Sequence, residues 1–452
     1  MSSSRARVVI LGGGFAGLNA ARALRRAPVD VVLIDQHNHH LFQPLLYQVA
    51  TAGLSPEDIT SPIRGVLARQ KNARVVLGRV EWIDRERRRV GFTHGEVDYD
   101  YLVVATGMKT NYFGHGQWET DAPGLKTIAD ALTCRRRILE AFERAEWAED
   151  RETKEKLLTF IVVGAGPTGV ELAGAIREIA HKVMVRDFRN IDPECARVLL
   201  IDGLPRVLAS YREASSIRAQ RDLEKMGVDV RLNTMVEEIS PRGVLVEGEW
   251  IESATVIWAA GVKATSVTAM LDTDLDALGR VQVEPDLRIS GDERVFVVGD
   301  AANLEVDGSP LPGLAPVAIQ QGRFVARQIS RIVGGKGGPE SFEYRDKGQM
   351  ATIGRARAIA EFAGRTFSGF FAWVLWLFVH LLFLVGFRNR LFVVLDWFYA
   401  YMWSRRSARL ILGRVVPGSA PWSPDVARTL MDYRDGDGEE AEVGADGRAP
   451  GE

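Results

Sequence analysis

The strongest constraint on this chain is a glycine signature that occurs twice, each time between a strand-like run and a helix-like run. The first copy follows RVVIL at residues 7–11, short and rich in β-branched residues, as a parallel strand buried on both faces should be. Gly12-Gly13-Gly14-Phe15-Ala16-Gly17 comes directly after it. The amphipathic LNAARALRR follows, then VDVVLID, ending at Asp35, 23 residues beyond Gly12. Gly12 permits a tight turn, Gly14 lets the backbone approach a pyrophosphate, and Gly17 lets helix and strand pack closely. The helix N-terminus faces the phosphates and Asp35 accepts from ribose hydroxyls. The second copy runs from LTFIVV (158–163) through Gly164-Ala165-Gly166-Pro167-Thr168-Gly169 into VELAGAIREIA, and its later strand RVLLID ends at Asp202. Two intact copies predict an α/β chain with two Rossmann-like dinucleotide-binding domains and two ligands. A carboxylate at Asp202 suits a free ribose 2′-hydroxyl and repels a 2′-phosphate, which favours NADH over NADPH.

Two further strand ends fall where each unit should close, YLVVATG (101–107) with Thr106 and Gly107, and VIWAAGV (256–262) with Gly261. VFVVGDAAN (295–303) then places Asp300 and Ala301 after a late strand. With these segments the chain resembles the two-dinucleotide-domain flavoprotein reductases. That resemblance implies FAD on Gly12, Gly14, Phe15, Ala16, Gly17, Asp35, Thr106, Gly107, Asp300 and Ala301. It implies NADH on Gly164, Gly166, Thr168, Gly169, Asp202 and Gly261.

Five longer segments narrow the resemblance: HHLFQPLLYQVATAGL (39–54), GAGPTGVELAGA (164–175), LPGLAPVAIQQG (311–322), YRDKGQMATIGRARAI (344–359) and GFRNRLFVVLDWFYAYM (386–402). Together, over about residues 5–415, they are similar to the type II NADH:quinone oxidoreductases. The resemblance implies hydride transfer from NADH to FAD, then two electrons passed to a membrane quinone without proton pumping. It divides the chain into an FAD-binding domain in two parts (5–115 and 286–335) and an inserted NADH-binding domain (116–285, core 157–270). A C-terminal region (336–415) follows. It also implies catalytic roles for Glu171, Gln320 and Lys347, although the family's first motif glutamine is replaced here by Pro316. Phe42, Pro44 and Tyr47 are candidate lining of the reaction chamber, or simply core. A reductase of a soluble electron carrier, or a membrane-tethered NADH-sensing flavoprotein, would share both glycine signatures.

Other chemistries are narrowed by composition. Lys and Arg number 57 against 59 Asp and Glu, so no global basic footprint points to nucleic acid. Cys134 and Cys195 are the only cysteines and cannot make a CxxC redox pair or a zinc cluster. His37, His39 and His40 have no further Cys or His at ligand spacing, so no metal is expected.

Between Arg365 and Arg388 lie 22 residues without Lys, Arg, Asp or Glu, long enough at ~1.5 Å per residue to cross a ~30 Å hydrocarbon core. A second apolar stretch, LFVVLDWFYAYMW (391–403), follows at once. Residues 366–403 therefore read as membrane-attachment helices, either spanning or lying in one leaflet, and separable from the folded flavoprotein. Trp373, Trp376, Trp397 and Trp403 suit an interface, and Arg388, Arg390, Arg405, Arg406 and Arg409 suit anionic headgroups. The N-terminal apolar run is too short for a signal peptide, which places the protein on the cytoplasmic face of the cell membrane. Residues 423–452 read as a disordered acidic tail. The sequence leaves open which quinone is used and whether the chain pairs with a second copy of itself.

Overall fold

The computed structural model describes residues 5–185, 187–336, 338, 340–403 and 408–411; the acidic tail, Arg405 and Arg406 lie outside the described residues. Its first sheet has six strands, in the order Arg288–Ile289, Asp292–Val297, Tyr101–Val104, Ala6–Leu11, Val29–Asp35 and Ala73–Leu77. Ala6–Leu11 pairs in parallel with both neighbours, and Val8 to Leu11 are wholly buried. That double burial is why the run is continuously apolar instead of alternating. Leu11 leads into Gly12 at φ +101°, where a side chain would run into the Ala105 carbonyl, and then into helix α1 (Phe15–Ala23). The short helix α2 (Leu46–Ala50) follows the second strand.

The second unit repeats the plan. Helix α3 (Ile128–Trp147), opened by a Thr127–Asp130 capping box, leads to four parallel strands in the order Val228–Arg231, Arg197–Ile201, Thr159–Val163 and Thr255–Trp258. Helix α4 (Pro167–Glu178) rises from the second glycine turn. The chain crosses between the units through two short antiparallel strands, Met108–Thr110 and Val262–Ala264. Val281–Gln282, just before the expected return at residue 285/286, pairs with Ala302–Asn303. The crossing strands are three residues long, too short to carry a readable hydrophobic period. Helix α5 (Ala315–Val333) then closes over α1, with Gly322 against the Ala16 carbonyl.

The C-terminal region corrects the expectation of a separable 366–403 attachment segment. Thr366–Ser368 are not helical but close a three-stranded antiparallel sheet with Gln349–Gly354 and Arg357–Phe362. Helix α6 (Gly369–Phe383) and helix α7 (Phe387–Trp403) follow, parted by a turn at Gly386 with φ +95°. Among the described residues no helix is long and apolar enough to cross a membrane. The 15 residues of α6 rise only ~22 Å.

Both helices face two ways. Ala372, Trp376 and His380, spaced by four, point inward from α6, as do Asn389, Val393 and Trp397 from α7. Ala372, Trp376, Val393 and Trp397 share one core with Leu45, Leu46, Tyr47 and Val49. Trp397 Nε1 donates to Gln48 Oε1 (2.8 Å), Asn389 Nδ2 to the Thr60 carbonyl (2.8 Å), and Ser61 Oγ to the Val385 carbonyl (3.2 Å). Arg390, expected at headgroups, instead caps α6 by donating to the Leu384 and Leu382 carbonyls, and Arg409 pairs with Asp187. Removing residues 366–452 should therefore strip a core face rather than release a soluble flavoprotein. The expected outcome is aggregation with a sharply lower melting temperature, read by size-exclusion chromatography and thermal unfolding. Trp376→Ala alone should cost about 3–5 kcal/mol.

Candidate functional site

Each glycine turn ends in the same electrostatic device. Asp35 accepts from the Gly13 N–H (2.5 Å) and from the His37 N–H (2.6 Å). Asp202 accepts from the Ala165 N–H and from the Leu204 N–H (2.8 Å). The acid at the end of the second strand thus fixes the loop that starts the helix. Gly17 and Gly169 lie so close to the Gly12 and Gly164 carbonyls that a Cβ would collide with them. Gly14 and Gly166, by contrast, have nothing within 4 Å of where a Cβ would stand, and both N-cap their helices without a side-chain cap. Each helix thus presents uncapped N–H groups beside an open backbone surface, the arrangement that a pyrophosphate fits.

Around the first cradle, Gly107 is open at φ +63°, and Thr106 Oγ1 bonds to Thr265 Oγ1 (2.8 Å). Ala16 and Ala301 are buried; Gly299 lies against Ala16 and Ala318, its N–H donating to Gln321 Oε1 (2.6 Å). Phe15 stands edge-on to His40 and Phe42 at 5.2 and 5.8 Å. Burial raises the Asp300 carboxyl above its ordinary range, opposed by Lys126 and Arg280, and burial likewise lowers Lys126. The sequence reading missed Lys126, which stands outside every motif. In the second cradle Thr168 is exposed, and Gly261 lies beneath the ring of Phe113, itself exposed at φ +50°.

Where α4 meets α2, α6 and α7 the structure opens a narrow cleft of about 60 Å³, lined by Tyr47, Glu171, Thr352, Trp376 and Trp397 among others. Glu171 sits one turn inside α4, and its Oε1 accepts a long hydrogen bond from the Thr352 N–H (3.3 Å). Burial pushes its carboxyl up to about 8, against the lowering influence of the Thr352 N–H and the Trp376 indole. The Trp376 N–H lies beside that carboxyl yet completes no hydrogen bond of normal geometry. Its ring stacks on His380 (4.2 Å) and lies 6.4 Å from Tyr47 and 5.9 Å from Trp397. Trp376 was legible in sequence only as an interfacial aromatic.

The structure does not bring every candidate to this cleft. Both ends of the Gln320 amide are taken by the main chain of Arg345, at 2.9 and 3.1 Å, while its neighbour Gln321 turns to Gly299. Lys347 is exposed on the loop before the C-terminal sheet and does not line the cleft. One of the two expected catalytic side chains is thus hydrogen-bonded to main chain and the other is exposed. Phe42 is core and Pro44 half-buried outside the cleft, whereas Tyr47 lines it. His40 Nδ1 meets the Gly13 carbonyl (3.0 Å), a structural bond. Cys134 is buried, with its thiol pushed up to about 12 by burial, and Cys195 is exposed beside Asp192.

Residues 6–322 match the pyridine nucleotide-disulphide oxidoreductase family model, and residues 347–406 match the NDH2 C-terminal domain. The chain is 46% identical over 429 residues to the type II NADH:quinone oxidoreductase NdhA of Mycobacterium tuberculosis, covering 91% of this chain and 90% of that one. It is 30% identical over 381 residues to the type II NADH:quinone oxidoreductase of Staphylococcus haemolyticus, covering 82% and 92%. Among solved structures, NDH2 from Plasmodium falciparum in complex with NADH shares the fold at a TM-score of 0.80. It is 19% identical and is covered over 100% of its length and 90% of this chain.

The two open glycines give a direct test of which cradle holds which dinucleotide. Gly14→Val should yield protein with little bound flavin. Gly166→Val should keep its flavin spectrum but bind NADH at least about tenfold more weakly, the effect of losing ~1.4 kcal/mol or more. Flavin absorbance and NADH titration check the pair, and a reversed pattern would exchange the assignments.

Proposed function

The chain belongs to the type II NADH:quinone oxidoreductases, and from that membership we propose how its own residues divide the work of oxidising NADH and reducing quinone. Bound FAD supplies a two-electron relay that accepts hydride equivalents on one side and releases them on the other. Gly12, Gly14, Gly17 and Asp35 would hold its nucleotide end, with Thr106, Gly107, Asp300 and Ala301 beside it. Gly164, Gly166, Thr168 and Gly169 would seat the NADH pyrophosphate, with Gly261 nearby. Asp202 would take the ribose hydroxyls, and its charge opposes the 2′-phosphate of NADPH.

The overall reaction consumes NADH, one proton and quinone, and yields NAD⁺ and quinol. Hydride carries both electrons and one hydrogen nucleus, so one further proton must come from elsewhere. The observation that carries the reading is Glu171, whose carboxyl is held near neutral pH at the head of the aromatic cleft. Protonated, it can donate to a quinone oxygen, and the cleft's opening lets solvent restore the proton. The flat walls of Trp376 and Trp397 and the edge of Tyr47 suit a planar quinone head.

Attachment to one leaflet at the cytoplasmic face, where NADH is made, fits the outer faces of α6 and α7. Phe370, Phe371, Phe378, Leu382, Leu395 and Phe398 are each between 51% and 65% exposed. A soluble protein rarely leaves such a continuous apolar patch in water, and burying it in acyl chains is favourable by roughly 25 cal/mol per Å².

Quinone turnover should hold below about pH 8 and fall above it, because the proton-donating form of Glu171 is lost as pH rises through its raised value. Glu171→Gln should remove that limb and lower quinone turnover by about 10²-fold. NADH oxidation by ferricyanide, which needs no proton, should survive. Unchanged quinone kinetics in this variant would move the acceptor site away from the cleft. For attachment, Phe378→Asp with Phe398→Asp should shift the protein from vesicles to the supernatant in a flotation assay, with ferricyanide activity intact.

A further inference from the structure

At the end of α4 opposite the dinucleotide cradle lies a separate recess of about 240 Å³ with largely basic walls. The helix does not end cleanly there but runs into a π-helical turn at Ile179–Val183, a rare backbone form that gathers at functional positions. That turn brings His181 and Lys182 to the recess. The hairpin between Gln349–Gly354 and Arg357–Phe362 contributes Arg355 and Arg357 from the other side. Arg177 completes the ring, although its guanidinium is spent on the carbonyls of Met226, Glu194 and Ala196. The one carboxylate in the wall, Glu178, is engaged by the Arg355 N–H.

A helix C-terminus by itself favours cations, which accounts for His181 and Lys182. It does not account for two arginines arriving from a different element. Lys182 and Arg357 have no hydrogen bond or ion pair for their side chains among the described residues. His181 Nε2 is buried and makes no hydrogen bond, although the Glu194 and Asp192 carboxylates lie near enough to favour the charged ring. Two cations without an ion pair, beside an orphan ring nitrogen, suit an anion with several acceptor oxygens.

We propose that this recess binds a phosphate-bearing anion, gripped by Lys182, Arg355, Arg357 and the ring of His181. The group has two sources: the headgroup of an anionic lipid, or phosphate free in solution. The recess shares Glu178 and Arg355 with the aromatic cleft, whose other wall is formed by α6 and α7, so a lipid lying against those helices would have its headgroup within reach.

The test uses the full-length flavin-loaded protein and two double variants that each remove two positive charges. Lys182→Gln/Arg357→Gln empties the recess of its free cations, and Arg25→Gln/Arg26→Gln removes exposed charge elsewhere. Matching thermal unfolding curves verify folding. Vesicles of phosphatidylcholine with about one phosphatidylglycerol in four lipids should bind the recess variant about fivefold more weakly per cation removed, with the control variant unaffected. Vesicles of phosphatidylcholine alone should bind all three proteins equally. The ring signal of His181 in NMR separates the sources. A saturable shift with inorganic phosphate, lost in the recess variant, assigns the free anion. A shift only with short-chain phosphatidylglycerol assigns the lipid. Equal loss of vesicle binding in both double variants, or a His181 signal silent to both ligands, overturns the proposal.

Discussion

The close approach of helix α4 to the strand Gln349–Gly354 is the contact on which the working parts of this protein depend. Gly174 lies against the Ile353 carbonyl so tightly that even a methyl group would collide with it. That contact fixes α4 between the second dinucleotide sheet and the C-terminal sheet. One short helix then carries three things in sequence: an uncapped N-terminus at Gly166, the Glu171 carboxyl one turn further, and the basic recess at its end. Because Thr352 is the neighbour of Ile353, the same contact that packs the helix also places the N–H that Glu171 accepts from.

Burial sets the chemistry of that carboxyl. An exposed glutamate at a helix start would be ionised and held there by the helix dipole. Glu171 instead faces the rings of Trp376 and its neighbours, where water that would solvate a charge is displaced, and the nearby donors only partly compensate. Asp35 and Asp202 are used differently: each accepts two main-chain N–H bonds and so holds loop geometry. Three carboxylates near dinucleotide turns thus serve two purposes, separated by what each one accepts.

The C-terminal helices do double duty. Their inward residues, repeating every four positions, complete the core that α2 and α4 begin, and their outward residues form the apolar surface. A helix apolar all round reads as buried in lipid when only sequence is considered. Here one face is buried in protein and only the other is left exposed and apolar.

The two glycine turns, the doubly buried strands and the acids at their ends were legible because each depends on local chemistry: a positive φ at Gly12, a missing Cβ at Gly17, a carboxylate one strand away. The C-terminal family segments made the quinone chemistry legible by resemblance. What sequence could not fix were matters of convergence. Gln320 and Lys347 belong to motifs, but one amide is tied to Arg345 and the other side chain points to solvent. Trp376 and Lys126 belong to no catalytic motif, yet the fold sets them beside Glu171 and Asp300. The run 366–387 gave its apolarity plainly, but its division into a strand and a helix of 15 residues, closed by a turn, depends on pairing with Arg357–Phe362 and on the partners of Trp376 and Trp397. The sequence by itself determined where the backbone must turn and which strands must be buried, since steric and burial constraints act over a few residues. Only the tertiary structure decided which polar groups meet, because donor and acceptor come from segments as far apart as Glu171 and Thr352.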